Sequence, residues 1–174
     1  MARFRRFDVV VSGAGTAGAV PDMAPTDSME ALRERRAGMR AAMTELERAA
    51  AASAHDRIDA WVLGVRGALG RLRDVVDHHI FATEAADGFL DEIVEDEPRL
   101  ANQAHRLREE HGEIVDAISA AAARLRARPS VDSDDWVDAL RDRLLVLLGT
   151  LARHRQRGAD LVYEAYDVDI GGTG

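Results

Sequence analysis

The chain has 174 residues, enough for one domain with a substantial core, and two domains are not expected. Apolar residues make up 47% but aromatic ones only 5%, and the alanine runs are long, which favours helix packed on helix over sheets. Arg fills all 23 basic positions against 31 Asp and Glu, a net charge of −8 that excludes a basic footprint for nucleic acid. The absence of Cys removes disulfides, iron–sulfur ligation and thiol catalysis, so a metal would need His and carboxylate ligands. No apolar run approaches the roughly 20 residues that cross a bilayer, so no membrane partner is expected.

Residues 1–26 read as a flexible leader. Gly13-x-Gly15-x-x-Gly18 has the spacing of a dinucleotide fingerprint. That motif works where the glycine turn opens a helix inside a unit that returns to a parallel strand, whereas here Val20-Pro21 and Pro25 follow and the rest reads as helix. Arg5-Arg6 with Ala17-Gly18-Ala19 has the outline of an export signal, but Asp8 interrupts what should be its apolar region, and a cytoplasmic location is expected.

Helix 1 is expected to begin near Asp27, where Asp27-x-x-Glu30 has capping-box spacing, and to run to about Ala52 on Met29, Leu32, Met39, Met43 and Leu46. Ser53 and Asp56 offer a fresh cap for a helix 2 from about Ala54 to Val94, with Gly88 bending or fraying its end. Asp96-Glu97-Pro98 starts helix 3, with acids at the positive end of the dipole and proline in the first turn, and Pro129 closes it. Ser133, Asp134 and Asp135 cap helix 4, which continues to about Tyr166, and residues 167–174 form a glycine-rich tail. Short connections imply an all-α, antiparallel up-down-up-down four-helix bundle over residues 27–166.

Each of the last three helices carries a 3,4 apolar seam that one histidine interrupts. Helix 2 gives Val65, Leu69, Leu72, Val76 and then His79; helix 3 gives Leu107, His111, Ile114 and Ile118; helix 4 gives Leu147, Leu151, His154 and Leu161. About a turn at Glu95, His79 lies 16 residues before and His111 lies 16 after, so the two should face one another. About the next turn, near Val131, His111 is 20 before and His154 is 23 after, an offset of about one helical turn, or roughly 5 Å. The three rings should therefore meet. A lone buried His is usually satisfied by a carbonyl, hydroxyl or water, but three at one level need partners together, and a shared ion supplies them. His55, His78 and His105 read as solvated, His105 pairing with Glu109, and Met39 with Met43 reads as core filling.

The stretches Asp77-His78-His79-Ile80-Phe81-Ala82-Thr83-Glu84, Leu107-Arg108-Glu109-Glu110-His111-Gly112-Glu113-Ile114 and Arg153-His154-Arg155-Gln156-Arg157-Gly158-Ala159-Asp160 resemble the hemerythrin-like, or HHE cation-binding, domain. The resemblance spans roughly residues 28–166. It implies a four-helix bundle around a non-haem di-iron centre with His and carboxylate ligands, which binds oxygen or takes part in iron, nitric oxide or peroxide chemistry. His79, His111 and His154 would be its imidazole ligands.

The carboxylate spacings depart from that family's pattern. Thr83 stands four residues after His79, and Glu84, five after it, lies roughly 140° around the helix. Asp160 follows His154 at six residues rather than five, and the paired histidines of the family's third helix are absent. Glu110, beside His111, is the carboxylate best placed to lean inward, and a π-bulge could bring Glu84 or Asp160 closer. The candidate ligands are thus His79, His111, His154, Glu84, Glu110 and Asp160, in a site reduced to one metal or vestigial. Three imidazoles with an open position suit Fe²⁺ and Zn²⁺ alike.

Two functions follow as expectations: a hemerythrin-like metal protein for a small diatomic ligand or peroxide, and a metal-free helical module that binds a partner or senses pH through its histidines. No nucleophile elbow, P-loop or catalytic triad points to a conventional organic mechanism.

Overall fold

The computed structural model describes residues 25–85, 88–129 and 134–166, with side chains from residue 33 onward. The described residues are helical with no strand: α1 (Pro25–Ala51), α2 (Ile58–Glu84), α3 (Phe89–Asp96), α4 (Ala101–Arg126) and α5 (Asp134–Tyr166), with a single 3-10 turn at Pro98–Leu100 before α4. The glycine motif, the arginine pair at 5–6, most of the leader and the tail 167–174 lie outside them. None of the described helices is long and apolar enough to cross a membrane.

Each long helix packs on the next, and α1 closes the ring against α5. Contacts run in opposite order along each successive pair. Ala50 meets Trp61 and Glu45 meets Arg71 between α1 and α2; Asp59 meets Arg128, beyond the end of α4, while Arg73 meets Ser119 and Glu84 meets His111 between α2 and α4; Gln103 meets Glu164 and Glu110 meets His154 between α4 and α5. These orders make the neighbours antiparallel. The apolar seams face inward as their spacing requires, with Leu72, Leu140, Leu144 and Leu151 wholly enclosed and Ile114, Ile118 and Leu125 nearly so. Met39 is buried and Met43 packs against the core, the gap-filling role expected of them.

Three boundaries differ from the sequence expectation. Helix α1 starts at Pro25 instead of near Asp27, and a proline suits a first turn whose N–H groups have no helical partner. Helix α2 starts at Ile58 instead of about Ala54, because Asp56 takes a left-handed conformation (φ 56°) that ends the turn, and Arg57 in the cap position makes no side-chain bond. Asx side chains tolerate that region better than most.

The third difference matters most for the site. The expected long helix 2 is two helices, α2 and α3, broken between Glu84 and Phe89. Thr83 Oγ1 donates to the carbonyls of His79 (2.9 Å) and Ile80 (3.2 Å), a local competition that weakens a helix end. The Gly88 amide donates to the Ala85 carbonyl at 2.6 Å, and Gly88 then serves as the cap of α3. A Cβ on Gly88 would lie 2.6 Å from the Ala85 oxygen and 2.8 Å from the Thr83 oxygen, both backbone atoms, so the break needs a residue without a side chain.

The far end of the bundle is closed by a polar clasp. The last carbonyls of α1 lack helical partners. Trp61 Nε1 (3.3 Å) and Arg141 Nε (3.0 Å) both donate to the Ala50 carbonyl, and Arg141 Nη2 donates to that of Ala52 at 2.9 Å. The Arg141 guanidinium also lies 5.5 Å from the Trp61 ring, which meets Trp136 edge-on at 6.3 Å. At the opposite end, Arg99 and Gln103 hold Glu164, so the end of α5 sits beside the α3–α4 turn.

Candidate metal centre

The core is not continuous along the bundle. A large apolar cluster extends to Val76 on α2, Ile114 on α4 and Leu151 on α5. A smaller one comprises Leu90, Ile93, Leu100, Ala104, Leu107 and Leu161. On each of the three strands of chain that cross the gap, a histidine stands between the two: His79 after Val76, His111 between Leu107 and Ile114, His154 between Leu151 and Leu161. The imidazoles form a polar layer because one position of each 3,4 seam is His where its neighbours are apolar.

The rings converge. Centroids are 5.2 Å apart for His79 and His111, 5.5 Å for His79 and His154, and 4.7 Å for His111 and His154, all edge-on. His111 and His154 are each 4% exposed and are the buried polar residues of the core, while His79 is partly open. His79 Nε2 lies 3.2 Å from His154 Nε2, and one ligand atom of each of the three lies within 4.8 Å of the others. First-row ions bind imidazole at ~2.0–2.1 Å, so two nitrogens sharing a tetrahedral ion stand about 3.3 Å apart. The His79–His154 pair already has that separation. His111 would close the remaining distance with a side-chain movement of about 1–2 Å, well within rotamer adjustment.

His111 Nε2 is buried with no hydrogen-bond partner. Such an atom costs on the order of 1–3 kcal/mol unless something occupies the place it faces. Burial, reinforced by His111, His154, Arg35 and His78, pushes the His79 imidazole down to about 3. Burial also lowers His154, against the opposing hydrogen bond from Glu110. Both are therefore neutral at neutral pH, the state in which an imidazole offers a lone pair to a metal.

The carboxylates sit outside this triangle. Glu84 Oε1 meets His111 Nδ1 at 2.5 Å, reaching across from the last residue of α2. Glu110 Oε2 meets His154 Nδ1 at 2.9 Å, and its other oxygen accepts from Arg157 Nη1 at 2.6 Å. Of the six residues expected as ligands, the three histidines come together, Glu84 and Glu110 contact the outer nitrogens of two of them, and Asp160 stands apart. Asp160 accepts from Gln156 at 2.8 Å on the exposed surface, because six residues from His154 turn it away from the interior. Arg157 was not anticipated; its position three residues after His154, on the same helix face, is the signal that could have found it. His55 and His105 pair with Asp56 (3.4 Å) and Glu109 (3.3 Å) at the surface, as solvated histidines do.

This set fits one ion better than two. A di-iron centre in a bundle draws on several carboxylates projecting inward to bridge the metals. Among the described residues the grouped ligand atoms are the three imidazoles, and the nearest carboxylates are engaged with ring nitrogens on the far side. No family model, no curated protein and no solved structure matches this chain, so the reading of the centre rests on its own geometry.

Proposed function

We propose that this chain is a hemerythrin-like metal-binding bundle reduced to a single ion, with His79, His111 and His154 as protein ligands for Fe²⁺ or Zn²⁺. The observation that carries the reading is the partnerless Nε2 of His111, buried beside two further imidazoles whose Nε2 atoms are 3.2 Å apart. Three neutral nitrogens offered to one point are what a borderline metal ion satisfies, and a lone structural His does not account for them. When bound, such an ion supplies Lewis acidity and, as iron, affinity for a diatomic ligand or peroxide at the position the three imidazoles leave open. The chain's own part is to hold the rings in place and to enclose them between two apolar clusters that limit water.

The test is metal analysis of protein purified without a His-tag or chelator, with absorption spectra before and after exposure to air. About one iron or zinc per chain, lost when all three histidines are replaced, is the expected result. A metal-free protein of full helicity would refute it and favour the second reading, a pH-sensing or partner-binding module. That alternative has one observation of its own: His79 and His154 already satisfy one another by a hydrogen bond without an ion.

A further inference from the structure

We infer that Glu84 and Glu110 act as positioning residues, not ligands, each holding one ring with its proton on Nδ1 so that the Nε2 lone pair faces the interior. The inference rests on the single-ion reading above but stands on contacts of its own. An ionised carboxylate only accepts hydrogen bonds, so the short contacts to His111 Nδ1 (2.5 Å) and His154 Nδ1 (2.9 Å) require an N–H at both Nδ1 atoms. A neutral imidazole has one N–H, so both Nε2 atoms are then bare acceptors.

Three further observations agree. His111 Nε2 has no partner, as a bare acceptor would not where the N–H of His79 is given to His154. His154 Nε2 receives one hydrogen bond, and since it can only accept, the donor is His79 Nε2–H at 3.2 Å. Glu110 is held in turn by Arg157 at 2.6 Å, which fixes its second oxygen away from the rings. Among the described residues no such carboxylate meets His79, which makes His79 the ring that must move its proton from Nε2 to Nδ1 before all three lone pairs can share an ion.

Glu84 leaves its helix roughly 140° from His79 and could not share an ion with it on an undistorted helix. It anchors the histidine of the neighbouring helix instead. Outer carboxylates of this kind orient the ring and raise its basicity, and their loss commonly weakens metal affinity 10–100-fold.

The experiment has two independent readouts on the full chain. Histidine ¹⁵N NMR of the metal-free protein reports the tautomer of each ring, and Co²⁺ titration followed by its visible bands reports affinity and ligand set. Expected are Nδ1–H tautomers at His111 and His154, and an Nε2–H tautomer at His79. Glu84→Ala and Glu110→Ala should release the tautomer of their own histidine and weaken Co²⁺ binding about 10–100-fold with the band positions unchanged. Glu110→Gln, which keeps an acceptor and guards against a folding failure of the alanine variant, should retain the tautomer and lose less affinity. Nε2–H tautomers at His111 and His154 in the wild type would overturn the inference. So would Co²⁺ bands that shift on removing either glutamate, since the carboxylate would then have been a ligand. A wild type that takes up no Co²⁺ would sink the single-ion reading, and the tautomers would decide the positioning roles without it.

Discussion

Metal-free protein should lose stability on mild acidification, and His79 sets most of the size of the effect. The faces that bear on this ring come from every neighbouring helix: His111 on α4, His154 on α5, Arg35 on α1 and His78 beside it on α2. Burial among them lowers its folded pKa from 6.5 to about 3. Below 6.5 the unfolded chain takes up a proton that the folded chain refuses until about 3, so across that window the unfolded state holds more protons and stability rises with pH. The contribution is complete above the unfolded value and drains away as pH falls towards the folded one. Each pH unit inside the window is worth about 1.4 kcal/mol, so moving from about pH 7 to about pH 5 removes roughly 2 kcal/mol through His79 alone. The lowered His154 acts in the same direction. Urea unfolding in chelator, on wild type and His79→Leu at both pH values, isolates the term: the wild type should lose about 2 kcal/mol more than the variant on acidification. Equal losses in the two proteins, or a wild type that gains stability at the lower pH, would refute the reasoning.

Further consequences concern stability and metal together. At neutral pH in chelator, His79→Leu should cost about 1–3 kcal/mol by thermal melting, because it strips the buried His154 Nε2 of its hydrogen-bond donor, and any stabilisation by added Zn²⁺ should vanish. Gly88→Ala should cost about 1–3 kcal/mol in urea unfolding, since the new methyl group meets two backbone oxygens that cannot both retreat. Arg141→Ala should cost about 1–3 kcal/mol by the same assay, as it uncaps the carbonyls of Ala50 and Ala52. Zn²⁺ affinity of the wild type should fall on acidification, because protons compete with the ion for the imidazoles, and calorimetric titration at several pH values would detect this.

Much of the bundle could be read from residue spacing. The seams of α4 and α5 turn inward along almost their whole length because a 3,4 repeat on a helix of fixed pitch leaves one face to bury. The histidine level followed from counting residues about two turns, which works where connections are short and rise per residue is constant. What spacing missed was backbone detail. The left-handed Asp56 delays α2, and where Gly88 was expected to bend or fray the end of helix 2 the chain instead forms two helices, α2 ending at Glu84 and α3 beginning at Phe89, with hydrogen bonds from Thr83 and a close approach at Gly88 that no periodicity encodes. At the site, the histidines were visible as interruptions of apolar seams. The role of Glu84 and Glu110 was not, since a carboxylate near a histidine in sequence or in space can face the metal or the outer nitrogen. Only the distances to Nδ1 separate those cases.

Crystals of protein reconstituted with Zn²⁺ and recorded at the zinc absorption edge would show whether one ion is held by the three imidazoles. A single anomalous peak per chain is expected, about 2.0–2.1 Å from Nε2 of His79, His111 and His154, with Glu84 and Glu110 still on the outer nitrogens. Density for a second ion bridged by those carboxylates, or rings still hydrogen-bonded to one another with no peak between them, would contradict it.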